Sequence, residues 1–351
     1  MNSSRLTLIA GATGQIGSSV GAHLFEQGGW NPVGLARAPK QDARYPMLAL
    51  DLTNAQDCAD KLAAITSVTH VLYAARFDHF GGELESRETN VRMLENLLNA
   101  LKPASGNLQH IHLVHGTKYY GHTVRERPTP YQEDDACGNF NSFYYEQQSL
   151  LQEHQRGREW SWSISRPHAF CNYRIDESRN MILIVGLYAS ILRELGLPLV
   201  YPGTLRSYMA KTQFSWLPTL ARAATWMMTD PRCANQAYNI VNGDPMSWSE
   251  LWPLFAQYFE MECGAPEDCT FADFAHQHAQ TWSHMTSKYG LQNSNLVALA
   301  QWPYGDYVMS LQWDVVSDMR KAATDGFQER VNTPKMWLEG FDFFRTQKIS
   351  P

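Results

Sequence analysis

The chain is short of charge of either sign and of long apolar runs. Asp, Glu, Lys and Arg make up 18% of its 351 residues, and the formal net charge is −6. A weakly acidic balance offers no electrostatic footprint for nucleic acid, so no such partner is expected. The longest apolar candidate, Met181 to Leu192, is too short to span a bilayer and runs into Arg193 and Glu194, so no membrane partner is expected. A strand begins within the first few residues, which leaves no room for a signal peptide, and a cytoplasmic location is expected. The six cysteines (58, 137, 171, 233, 263 and 269) contain no C-x-x-C pair, which favours free thiols over disulfides. His110, His112 and His115 stand close together, but in a strand the first two share one face and His115 takes the other. That alternation argues against joint metal ligation, and no metal is expected.

What is present begins at Leu6. The segment Leu6 to Gly17 reads as an apolar strand, a turn with Gly11, Gly14 and Gly17, and then a helix covering Ser18 to Phe25. Gly11 allows the sharp turn, Gly14 lets a pyrophosphate approach the backbone, and Gly17 lets helix and strand pack closely. The helix N-terminus offers N–H groups and a positive dipole end to phosphate. An ordinary glycine-rich turn is the plain alternative, which the flanking strand and helix disfavour.

Further strands are expected at Pro32–Leu35, Met47–Leu50, His70–Ala75, Leu108–Val114 and Trp162–Ser165. Helices are expected near Ala55–Ile65, Asn90–Leu101 and Tyr144–Gln155. This alternation predicts an α/β chain with a doubly wound parallel sheet of Rossmann type, ligands lying along the carboxyl edge of the strands. Beyond Pro167 the pattern weakens. A helix over Met181–Leu195, a late strand at Gln236–Val241 and a capping box at Ser247–Glu250 precede an aromatic-rich stretch to Tyr307. A dinucleotide-binding domain is therefore expected over residues 1–170, with a returning segment at about 210–242. A smaller, mostly helical C-terminal substrate lobe is expected over 171–209 and 243–351.

The second strand ends Leu35-Ala36-Arg37, with no acidic residue to bond a ribose 2′-hydroxyl. Arg37 suits a 2′-phosphate, so NADPH is the expected cofactor. Asp51 and Leu52 follow the third strand and are candidates to bracket the adenine; Asp51 could equally cap a helix. For proton donation, a Tyr-x-x-x-Lys pair is lacking: Gln148 stands four residues after Tyr144, and Ser149 after Tyr145. The nearest candidate cation is Lys118, 26 residues upstream of Tyr144, within His115-Gly-Thr-Lys-Tyr-Tyr-Gly121.

These motifs resemble, in order, those of the progesterone 5β-reductase/iridoid synthase-like enzymes, an atypical extended branch of the short-chain dehydrogenase/reductase superfamily. The resemblance rests on Gly11-Ala-Thr-Gly-Gln-Ile-Gly17, Gly34-Leu-Ala-Arg37, Gly116-Thr-Lys-Tyr-Tyr-Gly121, Ser142-Phe-Tyr-Tyr145, Trp162-Ser-Ile-Ser-Arg-Pro167 and Asn239-Ile-Val-Asn-Gly-Asp244. It departs at Ala38 (the family has a second arginine), at Ser142 (Asn) and at Ala75-Arg76 (a small residue and an aromatic).

The resemblance implies NADPH-dependent reduction of a C=C bond conjugated to a carbonyl, in a small apolar substrate. Tyr144 would contact the carbonyl and Lys118 would stand in for the missing lysine, together stabilising an enolate. It also implies cofactor contacts at Gly11, Thr13, Gly14, Gln15, Ile16, Gly17, Arg37, Asp51, Leu52, Ala74, Ala75, Pro167, Phe170 and Ser178, and it leaves a homodimer open. Two rival functions stay open: a carbonyl reductase or sugar-nucleotide epimerase or dehydratase of the extended class, and a non-catalytic dinucleotide sensor.

Overall fold

The computed structural model describes residues 5–77, 86–102, 106–138 and 140–351. The first half alternates strands and helices: β1 (Arg5–Ala10), α1 (Gln15–Gln27), β2 (Trp30–Ala36), β3 (Met47–Ala49), α2 (Ala55–Leu62), β4 (His70–Tyr73), α3 (Arg87–Ala100), β5 (His110–Val114), α4 (Phe143–Gln155) and β6 (Ser161–Arg166). The second half holds short strands among helices: β7 (Phe170–Cys171), α5 (Met181–Glu194), α6 (Leu205–Met209), β8 (Lys211–Thr212), β9 (Ser215–Trp216), α7 (Leu217–Thr229), β10 (Gln236–Asn239), β11 (Met246–Ser247) and α8 (Trp248–Tyr258). Six further helices follow: α9 (Phe271–Gln277), α10 (Ala279–Tyr289), α11 (Leu296–Leu299), α12 (Trp302–Met309), α13 (Arg320–Thr324) and α14 (Thr333–Thr346).

Seven strands form one sheet in the order β10-β6-β5-β4-β1-β2-β3, and each neighbouring pair is parallel. This is the doubly wound Rossmann arrangement expected from the alternation. The central strands are buried on both faces, so β1 ends in an unbroken apolar Leu8-Ile9-Ala10. Alternation divides them cleanly. Leu8, Ala10, Ile111 and Leu113 pack with α3 and α4 residues such as Leu94 and Leu151. Ile9 and Leu72 pack with Val20 and Leu24 of α1 and Ala221 and Ala224 of α7. Helices α2, α3 and α4 thus cover one face, and α1 and α7 the other.

Caps set several helix starts. The Asn54 side chain accepts from the Gln56 and Asp57 amides at α2, Ser142 from the Tyr144 amide at α4, and Ser247 forms the expected capping box with Glu250 at α8. Boundaries differ from expectation by a few residues. Helix α2 stops at Leu62 because the chain turns there, the Ile65 amide donating to the Leu62 carbonyl. Among the described residues no helix is long and apolar enough to cross a membrane. The apolar run from Met181 to Leu192 is instead the hub of the helical part, buried throughout within α5. Around it gather Trp252, Trp282, Trp337, Phe255 and Phe341.

Candidate active site

The carboxyl edge of the sheet gathers the residues singled out in the sequence. Gly11 follows β1 with φ of +80°, and a Cβ there would lie 2.8 Å from the Ala74 carbonyl and the Ala75 Cα. Ala74 and Ala75 therefore form the floor under the loop, and the Ala74 amide donates to the Ala10 carbonyl at 3.0 Å. A Cβ on Gly17 would meet the Gly11 carbonyl oxygen at 2.3 Å, which is the close strand–helix contact anticipated. Gly14 is different: a Cβ there would touch no protein atom closer than the Gly11 oxygen at 3.4 Å. What it would fill is the space before α1, whose N-terminus no side chain caps. Thr13 and Gly14 are exposed on that side. The donor set and the open cradle fit a dinucleotide pyrophosphate.

The rest of the loop is tied to the segment leaving β6. Gln15 donates to the Arg179 carbonyl at 2.8 Å and accepts from Asn172 at 3.3 Å. Ile16 and Phe170 pack half-buried against the same apolar cluster. The Ser178 carbonyl accepts from the Gln301 amide at 2.8 Å, which ties this strap to the start of α12. Arg37 is exposed at the end of β2, and Leu52 is buried beyond β3. The Asp51 carboxylate accepts from the Thr53 amide at 2.9 Å and its hydroxyl at 2.8 Å. It closes a turn, while the helix cap proper is Asn54.

Tyr144 and Tyr145 separate sharply. Tyr144 is 8% exposed and Tyr145 37%, the latter turned to Phe140 at 5.1 Å between ring centroids. Adjacent helical residues point about 100° apart, so only one can face the sheet edge. The Tyr144 hydroxyl lies 3.6 Å from where a Cβ of Gly116 would stand. Gly116 opens the single turn 117–120 that carries Lys118, whose ammonium sits 5.4 Å from the Tyr307 ring centroid. That turn is fixed behind. The Thr117 amide donates to the Pro167 carbonyl at 3.1 Å, its hydroxyl bonds His168 Nδ1 at 2.6 Å, and its carbonyl meets His122 Nδ1 at 3.0 Å. Burial pushes His168 down to about 3 and His122 to about 4, so both act as neutral imidazoles.

The structure also shows what holds Gln148, at the position of the absent lysine. Its Oε1 accepts from the Arg166 guanidinium at 3.1 Å. Arg166 is itself buried, 3.6 Å from the Tyr119 ring centroid, donating to the Tyr120 hydroxyl at 3.0 Å and the Glu133 carbonyl at 2.9 Å. Arg166, Tyr307 and the Thr117 anchors were not anticipated, since they meet only through tertiary packing.

The three clustered histidines divide as alternation required. His110 and His112 form a ladder with Ser161, Ser163 and Ser165, with contacts of 2.8, 2.7, 2.8 and 3.1 Å in sequence. His115 lies on the other face with its ring stacked on Tyr144. Among the described residues no group of three or more His, Cys, Asp or Glu side chains could hold a metal.

With this geometry in view, the comparisons with known proteins are specific. An (S)-8-oxocitronellyl enol synthase from Nepeta racemosa is 28% identical over 368 aligned positions, covering 100% of this chain and 94% of that protein. A 3-oxo-Δ(4,5)-steroid 5-beta-reductase from Arabidopsis thaliana is 29% identical, covering 99% and 93%. Among solved structures, a UDP-glucose 4-epimerase from Thermotoga maritima superposes with a TM-score of 0.67 at 14% identity, covering 97% of this chain and 99% of that one. This last likeness speaks for the fold alone. Residues 50–351 match the PRISE-like Rossmann-fold domain; the glycine loop lies before that span but within the full-length likeness to both relatives. A chain so matched from the residue after β3 to its last residue belongs to the PRISE-like Rossmann-fold family.

Proposed function

We propose that the protein is an NADPH-dependent reductase of the C=C bond of small α,β-unsaturated carbonyl compounds. The observation that carries the reading is the buried Tyr144 hydroxyl beside Gly116, on the same sheet edge as the open Gly14 cradle. The family and the steroid 5-beta-reductase relative point to the same chemistry.

In this reading the first turn of α1 and the glycine loop hold the pyrophosphate, and Ile16, Ala74 and Ala75 pack under it. Asp51 and Leu52 flank the adenine. Arg37, with no carboxylate beside it at the end of β2, pairs with the 2′-phosphate, which is the argument for NADPH over NADH. Pro167, Phe170 and Ser178 line the nicotinamide end. When bound, the cofactor supplies a hydride to the β-carbon. Tyr144 donates a hydrogen bond to the substrate carbonyl oxygen, where negative charge grows. Lys118 adds positive charge on the same side and favours the enolate. Gln148, engaged by Arg166, takes no such part.

The test is turnover of a panel of enals, enones and saturated ketones with NADPH deuterated at its transferable position. Deuterium at the β-carbon of a saturated product is expected. Deuterium on the carbonyl carbon, with the C=C bond intact, would replace this reading with a carbonyl reductase.

A further inference from the structure

His115 is the buried group that the chemistry above leaves unused. It is 2% exposed, and neither ring nitrogen makes a hydrogen bond. Its neighbour Gln147 donates through Nε2 to the Asn90 carbonyl at 2.9 Å, and the same side chain, close to the imidazole, is a minor influence favouring the charged ring. Leaving buried polar atoms without partners is costly and uncommon. Three residues earlier, inside β5, His112 has a serine hydroxyl at each nitrogen.

What His115 does have is a ring contact. Its plane lies 22° from that of Tyr144, with centroids 4.6 Å apart. Phe143 closes on Tyr144 edge-on, at 4.5 Å and 63°. The His115 backbone is pinned, its amide donating to the Ser165 carbonyl at 2.9 Å. Burial, reinforced by the nearby Arg166 charge, holds the imidazole far below its usual range. It is therefore a neutral plate, neither a cation facing a π-system nor a proton donor. The residue after it, Gly116, lies beside the phenol hydroxyl. A plate fixed to β5 thus sets the plane in which that hydroxyl reaches the sheet edge.

We propose that His115 is a positioning residue for Tyr144, acting through the face of its ring and not through its nitrogens. The proposal rests on the reading of Tyr144 as the phenol that meets the substrate carbonyl. It places a determinant of turnover just past the end of β5, apart from the tyrosine helix.

The experiment uses the full chain with His115→Ala, His115→Phe, Tyr144→Phe and the His115→Ala/Tyr144→Phe pair, with 2-cyclohexen-1-one and trans-2-hexenal as probes. Misplacing a reacting group by about 1 Å costs on the order of a hundred-fold. His115→Ala is therefore expected to lower kcat roughly ten- to a hundred-fold, with NADPH affinity by fluorescence titration changed by less than about two-fold. His115→Phe keeps the plate and sheds the unpaired nitrogens, so it should restore kcat to within about three-fold and unfold at a higher temperature. In the Tyr144→Phe background, His115→Ala should add little. In protein labelled with 3-fluorotyrosine, the fluorine signal that vanishes in Tyr144→Phe should shift in His115→Ala and stay near its place in His115→Phe.

If His115→Phe is as damaged as His115→Ala, the nitrogens matter and the proposal is overturned. It is also overturned if His115→Ala is equally costly with and without the Tyr144 hydroxyl. If Tyr144→Phe leaves turnover intact, or neither probe is reduced, the reading of the reaction fails; the fluorine signal then decides by itself whether His115 holds the ring.

Discussion

Strand β5 and the residue that follows it present two histidine surfaces of opposite character. On the face covered by α1 and α7, His110 and His112 alternate with three serines of β6 in a continuous hydrogen-bonded ladder. On the face covered by α4, the His115 ring makes no hydrogen bond and stacks on an aromatic neighbour. Burial is similar on both sides, so the difference lies in what the buried polarity is for. The ladder's neutral imidazoles recover in the fold the hydrogen bonds they gave up in water, which marks them as part of the frame. The His115 ring recovers none, and it lies against Tyr144, one residue before Gly116. Frame and candidate site therefore share one extended segment, separated by the direction in which successive side chains point.

Substitutions should respect that division: loss on the α4 side should appear in turnover, and loss on the α1/α7 side in stability. The largest effect belongs to Tyr144→Phe. It removes a donor to an oxygen that gains charge, worth about 2.7–4 kcal/mol, or a hundred- to thousand-fold in kcat. Tyr145→Phe, on the exposed neighbour, should change kcat by less than about two-fold. Equal losses in the two variants would erase the distinction drawn from their burial.

Next comes Ser163→Ala, at the middle rung. It strands one nitrogen on each of His110 and His112, at about 1–3 kcal/mol for each unpaired group. Urea unfolding should show a loss of about 2–4 kcal/mol, with kcat per folded molecule little changed. The same ladder gives a pH signature. Burial holds His112 at about 3, below the 6.5 of an unperturbed imidazole. As pH falls the unfolded chain therefore takes up the proton first. The ladder's contribution is complete above pH 6.5 and is lost progressively between 6.5 and about 3. A urea midpoint that does not fall between pH 7 and pH 5 would contradict a buried neutral ladder.

Lys118→Met should lower kcat roughly ten- to a hundred-fold while sparing the fold and most NADPH affinity, because its charge acts on the transition state. Borohydride trapping of substrate on Lys118 would instead make it a nucleophile. A comparable effect, confined to the cofactor, is expected of Arg37→Ala, which lies beyond both faces. A charge-assisted contact to phosphate is worth about 1.5–3 kcal/mol, so KM for NADPH should rise roughly ten-fold or more, and that for NADH far less. Parallel changes for the two cofactors would remove Arg37 from the 2′-phosphate.

Much of this architecture was legible in the sequence because its causes are local. Gly11 and Gly17 are required by a turn and a close approach within a few residues, and the capping box at Ser247 is a four-residue pattern. The facing of His115 away from His110 and His112 followed from strand alternation alone. Tyr144 and Lys118 were singled out only through family resemblance, since 26 residues of chain separate them. What was not legible joins distant segments. The stack of His115 on Tyr144, the hold of Arg166 on Gln148 and the Tyr307 ring over Lys118 each depend on how packed elements meet. No short pattern encodes them, and the aromatic helical half shows only composition until its partners are in place.

One edge strand of the sheet, β10, is spelled by residues 236–239, long after the chain has departed through α5 and the strap before it. Segment 319–327 then comes back to pack beside it, with Met319, Ala322 and Phe327 against Tyr238 and Ile240, before α14 leaves again for the helical half. The polypeptide is laced between its two halves in the manner of a boot, with no seam at which one cut would release an intact piece. A ribosome must therefore deliver nearly the whole message before the cofactor edge can close. Loss of either half in heat or urea should drag the other with it in a single cooperative step.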